Sequence, residues 1–156
     1  MIYRTLLMVL MATPIVFGYI GWEHVYGSVS IETFIRCDPS IPIWHGELSI
    51  FEADPVGASE LFKTVNFTTT EMSQHLMFEP FHPGSDWGLE YEIGYQLIHN
   101  CTHSGQKLCI SPRPTDVSAF GKTKVDWYIR TFEEGYTMEE CPNWNLASPD
   151  AKKRRL

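Results

Sequence analysis

Four cysteines, Cys37, Cys101, Cys109 and Cys141, carry the most specific chemistry in this 156-residue chain. An even count reads as two disulfides where the compartment is oxidising, and four cysteines allow three pairings. Cys101 and Cys109 flank Ser104-Gly105, a turn sequence, so a local Cys101–Cys109 bridge is the expected closure and leaves Cys37 for Cys141. The other two pairings need the hairpin cysteines to face different elements. A competing chemistry lies in His99-x-Cys101-x-His103. On a continuing strand these three side chains share one face, and imidazole and thiolate both bind zinc, with Asp86 or Glu90 available to complete a set. The bridge has the stronger claim on Cys101, so no metal site and no cofactor are assigned.

Two further patterns agree with the oxidising compartment. Asn66-Phe67-Thr68 and Asn100-Cys101-Thr102 fit the N-glycosylation acceptor pattern, Asn66 being the better candidate because a bridge at Cys101 competes with modification of Asn100. The N-terminus has the three-part layout of a secretory signal peptide: Arg4 as the only early charge, an apolar run from Thr5 to Phe17, and a small residue, Gly18. The run is too short to span a bilayer. The expected division is a signal peptide at 1–18, one domain at 19–141 and a polar, basic, disordered tail at 142–156. The expected location is extracellular, without a membrane span.

Of the 12 basic residues, Arg4 and the Lys152–Arg155 run lie at the ends, so seven stand against 19 acids over residues 19–150, a charge of −12. Such a body repels phosphate backbones and argues against nucleic-acid binding. A plain electrostatic grip on anionic lipid is disfavoured too, unless the tail or a metal ion mediates it. No Gly-x-Ser-x-Gly elbow, His-Glu-x-x-His or phosphate-binding glycine loop occurs, so no catalytic residues are assigned and the chain is not expected to be an enzyme.

The elements that would position these groups are strands. Val29, Ile31, Thr33, Ile35 and Cys37 alternate with polar residues and Phe34. Leu48 and Ile50 repeat the pattern more roughly, Leu61, Val65 and Phe67 share a side opposite Asn66, and Leu76 and Phe78 mark a short strand before Pro80. Leu89, Tyr91, Ile93, Tyr95 and Leu97 form a long strand, and Val125, Trp127, Ile129 and Thr131 the last. Turn sequences such as Asp38-Pro39 and Pro83-Gly84 separate them. The expected fold is all-β, an antiparallel β-sandwich of about 6–8 strands. Phe34, Tyr128 and Phe132 fall opposite the apolar side of their strands, and outward aromatics are enriched at interfaces, so these three are the candidate interaction surface.

The run from Tyr95 to Cys101 ending in His99-Asn100-Cys101, then Cys109, Pro112 and Pro114, Lys124-Val125-Asp126 and Cys141, resembles the nematode transthyretin-like family, as does a first strand, Gly27 to Cys37, that ends in cysteine. The likeness covers about residues 27–141. The stretch from Asp38 to Trp44 and the Thr68-Thr69-Thr70-Glu71 region depart from the family's pattern, and Val125 stands where an aromatic is usual. The resemblance implies a secreted transthyretin-like sandwich without established catalysis that engages an extracellular protein or cell-surface component through a sheet face or loops. The alternative it implies is a carrier of a small apolar ligand in a sandwich or homodimer-interface cavity. A large enclosed apolar cavity would favour the carrier, and a flat exposed aromatic patch the recognition protein.

Overall fold

The computed structural model describes residues 27–53, 59–83 and 89–144. The expected signal peptide and the Lys152–Arg155 run lie outside these. Nine strands follow in order: β1 (Ser28–Arg36), β2 (Trp44–Glu52), β3 (Glu60–Thr69), β4 (Ser73–Phe81), β5 (Glu90–His99), β6 (Leu108–Ile110), β7 (Thr115–Ser118), β8 (Lys122–Arg130) and β9 (Tyr136–Thr137). They form a three-stranded sheet, β4-β1-β8, and a six-stranded sheet, β3-β2-β5-β6-β9, with β7 also on β5. The fold is therefore the all-β sandwich expected. Pairing is antiparallel with one departure: β1 and β8 run parallel in unbroken register from Ser28–Lys122 to Arg36–Arg130. Among the described residues no helix is long and apolar enough to cross a membrane.

Period-two alternation explains the core. Val29, Ile31 and Ile35 of β1, Val125, Trp127 and Ile129 of β8, Trp44, Leu48 and Ile50 of β2, and Tyr91, Ile93 and Leu97 of β5 are buried between the sheets. Burial of such side chains contributes roughly 1.5–3 kcal/mol each. Trp44 is fully buried, its indole N–H donating to Glu71 O at 2.9 Å, which satisfies the ring's one polar atom. Phe67 lies flat across Gly46, where an added Cβ would sit 2.2 Å from the ring, and meets Trp44 edge-on at 5.2 Å. Tyr95 packs against Trp127 across the sandwich at 4.6 Å, and burial pushes its phenol up to about 12.

Two placements differ from the alternation read in the sequence. Leu61 is 47% exposed, not inward with Val65 and Phe67. Ile50 pairs Lys63 while Phe51 pairs Leu61, so Phe62 is an inserted residue, and a bulge of this kind flips the facing of all that lies beyond it. Leu89 stands just before β5 and is exposed. The chain also stays attached past Cys141. Gln96 Nε2 donates to Pro142 O at 2.7 Å, and Trp144 stacks on Phe51 at 4.9 Å. Residues 141–144 thus form a strap over the outer face of the six-stranded sheet, which accounts for the burial of Ser49 and Phe51 in addition to the inward residues of β2, Glu52 among them.

The four cysteines form two disulfides, but the pairing is Cys37–Cys101 and Cys109–Cys141, not the local bridge expected. The reason is facing. Cys109 pairs with Ile98 in the ladder, so it points to the outer side of the six-stranded sheet, whereas Leu97, His99 and Cys101 belong to the inner side. Sequence proximity put the two cysteines in one hairpin but on opposite faces. Cys101 therefore meets Cys37 at the end of β1, and Cys109 meets the strap. Loops of 64 and 32 residues give about 4 kcal/mol each in the chain-entropy model. Replacing either pair by alanine should therefore cost nearly the same stability in urea denaturation, and non-reduced peptide mapping should recover Cys37 linked to Cys101.

Candidate functional site

The outer face of the three-stranded sheet is built from the even positions of β1 and β8 and the odd positions of β4. Phe34 is in register with His75 on one side and Tyr128 on the other. The three rings stack across the strands, His75 to Phe34 at 4.4 Å and 7°, Phe34 to Tyr128 at 5.0 Å and 8°. That spacing is the interstrand distance itself, so a ladder of rings follows from the pairing. Inner ring faces are consumed by one another. The far face of Tyr128, at the edge of the sheet, is open, and Tyr128 is 76% exposed, with Met77 on the neighbouring rung at 74%.

Charge flanks the aromatic rung on both sides. Glu32 lies beyond it, accepting from His75 Nε2 at 2.7 Å and paired with Lys124, which also meets Asp126 at 3.0 Å. The bonds from Lys124 and His75 hold the Glu32 carboxyl below its usual range, and Glu32 and Asp126 hold the Lys124 ammonium above its own. Exposed pairs of this kind add little to stability and chiefly fix side-chain positions. On the other side Arg36 and Arg130 stand in register with no acid between them. They line a cleft of about 400 Å³ with Cys37, Asp38, Pro39 and Phe132. The Asp38 carboxyl is held low by hydrogen bonds from Ser40, with His103 and Arg36 adding to the effect. Four of the seven basic residues of the acidic body, Arg36, Lys122, Lys124 and Arg130, thus belong to this one face.

Of the three aromatics expected at an interaction surface, the structure brings Phe34 and Tyr128 together. It seats Phe132 past the end of β8, half-buried, edge-on to His103 at 5.1 Å in the arginine cleft. Sequence reading missed His75, Met77, Arg36 and Arg130. The signal was present in the alternation of His75 and Met77 with Leu76 and Phe78. Asn66 is exposed on β3 and Asn100 is half-buried, and both line a second cleft of about 440 Å³ on the six-stranded sheet, beside His45, Glu47, Thr68 and Lys107. Asn100 Oδ1 accepts the His45 N–H at 2.7 Å.

The zinc alternative finds no geometry. Cys101 is bridged, and His103 is exposed. His99 is buried with both nitrogens engaged: Nδ1 accepts the Cys101 N–H at 3.2 Å, and Nε2 therefore carries the proton that it donates to Glu134 O at 2.9 Å. Among the described residues no group of three His, Cys, Asp or Glu could hold a metal.

Comparison with protein families matched residues 32–144 to the family described as "Caenorhabditis elegans protein of unknown function (DUF870)". The chain belongs to that family. The match runs from β1 through the strap and so takes in both disulfides of this DUF870 chain. No curated protein and no solved structure matched.

The His99 arrangement gives the DUF870 domain a pH dependence. Burial depresses the imidazole's affinity for protons, partly offset by the bond to Glu134. The unfolded chain takes up its proton near pH 6.5, the folded chain only lower, so the unfolded state binds more protons between those values. The stabilisation is complete above about pH 6.5 and is lost as pH falls from there through the depressed folded value. Urea denaturation at pH 7 and pH 5 should show this loss, and His99→Gln should flatten it while costing about 1–3 kcal/mol at pH 7 for the unpaired Cys101 N–H and Glu134 carbonyl.

Proposed function

We propose that this protein is a secreted, non-enzymatic recognition protein that binds an extracellular protein or cell-surface component through the outer face of its three-stranded sheet. The observation that carries the reading is the exposed His75–Phe34–Tyr128 stack, with Met77 and two arginines beside it, on a sheet whose other side is core. Recognition surfaces are enriched in aromatics, methionine and arginine. Both clefts open on the outside and include polar and charged residues, which speaks for recognition over carriage of an apolar ligand. A relationship to the transthyretin-like proteins belongs to the same reading and is supported by the two-sheet architecture and the four cysteines.

Two disulfides suit an oxidising compartment. Protein recovered from medium should begin near Tyr19, and Asn66, exposed on β3, should carry a glycan. N-terminal sequencing and the mass change after N-glycosidase check both, and Asn66→Gln should remove that mass.

Binding itself is tested with the oxidised mature protein on cell surfaces and in extracellular fluid. Phe34→Ser with Tyr128→Ser should lower saturable binding at least tenfold and lower the urea midpoint only modestly, since neither side chain is in the core and the stability lost is that of the cross-strand ring contacts. Unit-stoichiometry uptake of a small apolar molecule, unaffected by these changes, would replace recognition with carriage.

A further inference from the structure

The three-stranded sheet ends at β8, which pairs with β1 and with no other described strand. The backbone bonds fix which of its residues face outward along the sheet. Thr131 N–H donates to Arg36 O at 3.0 Å and Ser28 N–H to Gly121 O at 2.9 Å. With the register unbroken over nine pairs, the odd-numbered residues turn their N–H and C=O groups to β1. Lys122, Lys124, Asp126, Tyr128 and Arg130 therefore turn theirs to the open side. These are also the residues whose side chains stand on the exposed face. One set of five residues thus displays both a backbone row that no described strand pairs and its side chains.

Other edges among the described residues are blunted. β4 contains Pro80 and pairs through a register shift at Val29/Ile31. β3 carries the Phe62 insertion and the Asn66 acceptor site, β7 is four residues long and β9 two. β8 has nine residues, no proline and no bulge.

Charge selects the occupant. The five edge residues hold three cations and one acid, in a body of net charge −12; Lys124 is shared with Glu32 and Asp126, while Lys122 and Arg130, with Arg36 beside it, have no acid partner among the described residues. A second β8 laid antiparallel over the full nine residues would place Lys122 against Arg130 and Asp126 against itself, so the edge repels its own copy in the register of greatest overlap. An acidic chain meets the opposite condition. We propose that the open edge of β8 receives an extended, acidic segment of a partner protein as an added strand. Its backbone pairs with the even-numbered residues, its acids face Lys122, Lys124 and Arg130, and an aromatic or apolar side chain lies on the free face of Tyr128, extending the ladder His75–Phe34–Tyr128 by one rung. Main-chain bonds give this mode affinity and the alternate side chains give it selectivity. It rests on the reading of this sheet as the recognition surface and names the chemistry of its partner.

The probe is a nine-residue fluorescent peptide, matched to the length of β8, with glutamates opposite Lys122, Lys124 and Arg130, phenylalanine opposite Tyr128 and threonine elsewhere. Anisotropy with the oxidised full chain should show saturable binding that weakens with salt. It should weaken about tenfold when the three cations are changed together to glutamine, a loss in keeping with three exposed ion pairs. Asp126→Ala should strengthen binding by removing the one acid. Asp126→Pro removes the same charge and also an edge N–H that β1 does not use, and it should abolish binding with both disulfides intact on peptide mapping. The same peptide, N-methylated at the amides that face β8, should not bind the unmodified chain, a result that needs no variant to fold. Equal binding by the N-methylated peptide, or by the Asp126→Pro and Asp126→Ala variants, overturns strand addition. So does binding of a sulfated heparin oligosaccharide where the peptide fails, or peptide binding only after residues 145–156 are removed, since the occupant is then a glycan or the chain's own end. If the peptide fails while Phe34→Ser with Tyr128→Ser still lowers cell-surface binding, the sheet-face reading stands and the edge proposal alone falls.

Discussion

The buried Cys37–Cys101 bridge ties the end of β1 in one sheet to the end of β5 in the other, and the backbone around it is organised to tolerate burial. Cys37 N–H donates to Met72 O, and Cys101 N–H donates to the ring of His99. The Cys101 carbonyl accepts from Glu133, which takes up a left-handed backbone with φ 53°. That conformation is costly for a side-chain-bearing residue and persists only where its surroundings require it. Here Glu133 Oε1 also accepts the His103 N–H at 2.8 Å. The Arg36 carbonyl is held twice by Thr131, through its N–H and its hydroxyl. These bonds fix the end of β1 against the end of β8, and that fixed register sets Phe34 beside Tyr128 and Arg36 beside Arg130.

The two sheets then divide the remaining tasks unequally. The larger one has its outer face partly closed by the strap, with Trp144 on Phe51 and Pro142 on Gln96. The smaller one has no described segment across its outer face and gathers there most of the few cations of an acidic body. A uniformly negative protein would repel an acidic partner at every approach. Concentrating cations on one face gives such a partner a single favourable direction.

Much of this was legible in the residues. The alternation around Val29, Ile35, Leu97, Val125 and Trp127 identified the inward sides of β1, β5 and β8, because a half-buried strand cannot hide its period. The outward facing of Phe34 and Tyr128 followed from the same period. The lost information was long-range. Nothing local signals that Phe62 is inserted opposite β2, or that Cys109 and Cys101 occupy opposite faces of one sheet. Pairing between distant strands decides both, as it decides that His75 stacks on Phe34 and that β8 lies parallel to β1. The strap was misjudged for a related reason: Pro142 and Trp144 read as polar tail until a glycine, Gly94, under the Phe51 ring leaves a flat aromatic place for Trp144 to rest.

The strap also makes the two bridges unequal before a reductant. A thiolate must reach a sulfur to open a disulfide. Cys37 and Cys101 are 3% and 0% exposed, so their bridge is closed to attack while the sandwich holds. Cys141 is half-exposed at the start of the strap. Mild reduction thus acts first on the strap's anchor, leaving the two sheets joined while freeing Trp144 and baring the aromatic ground beneath it, so that a small change in thiol balance would alter this molecule's greasiness without unfolding it.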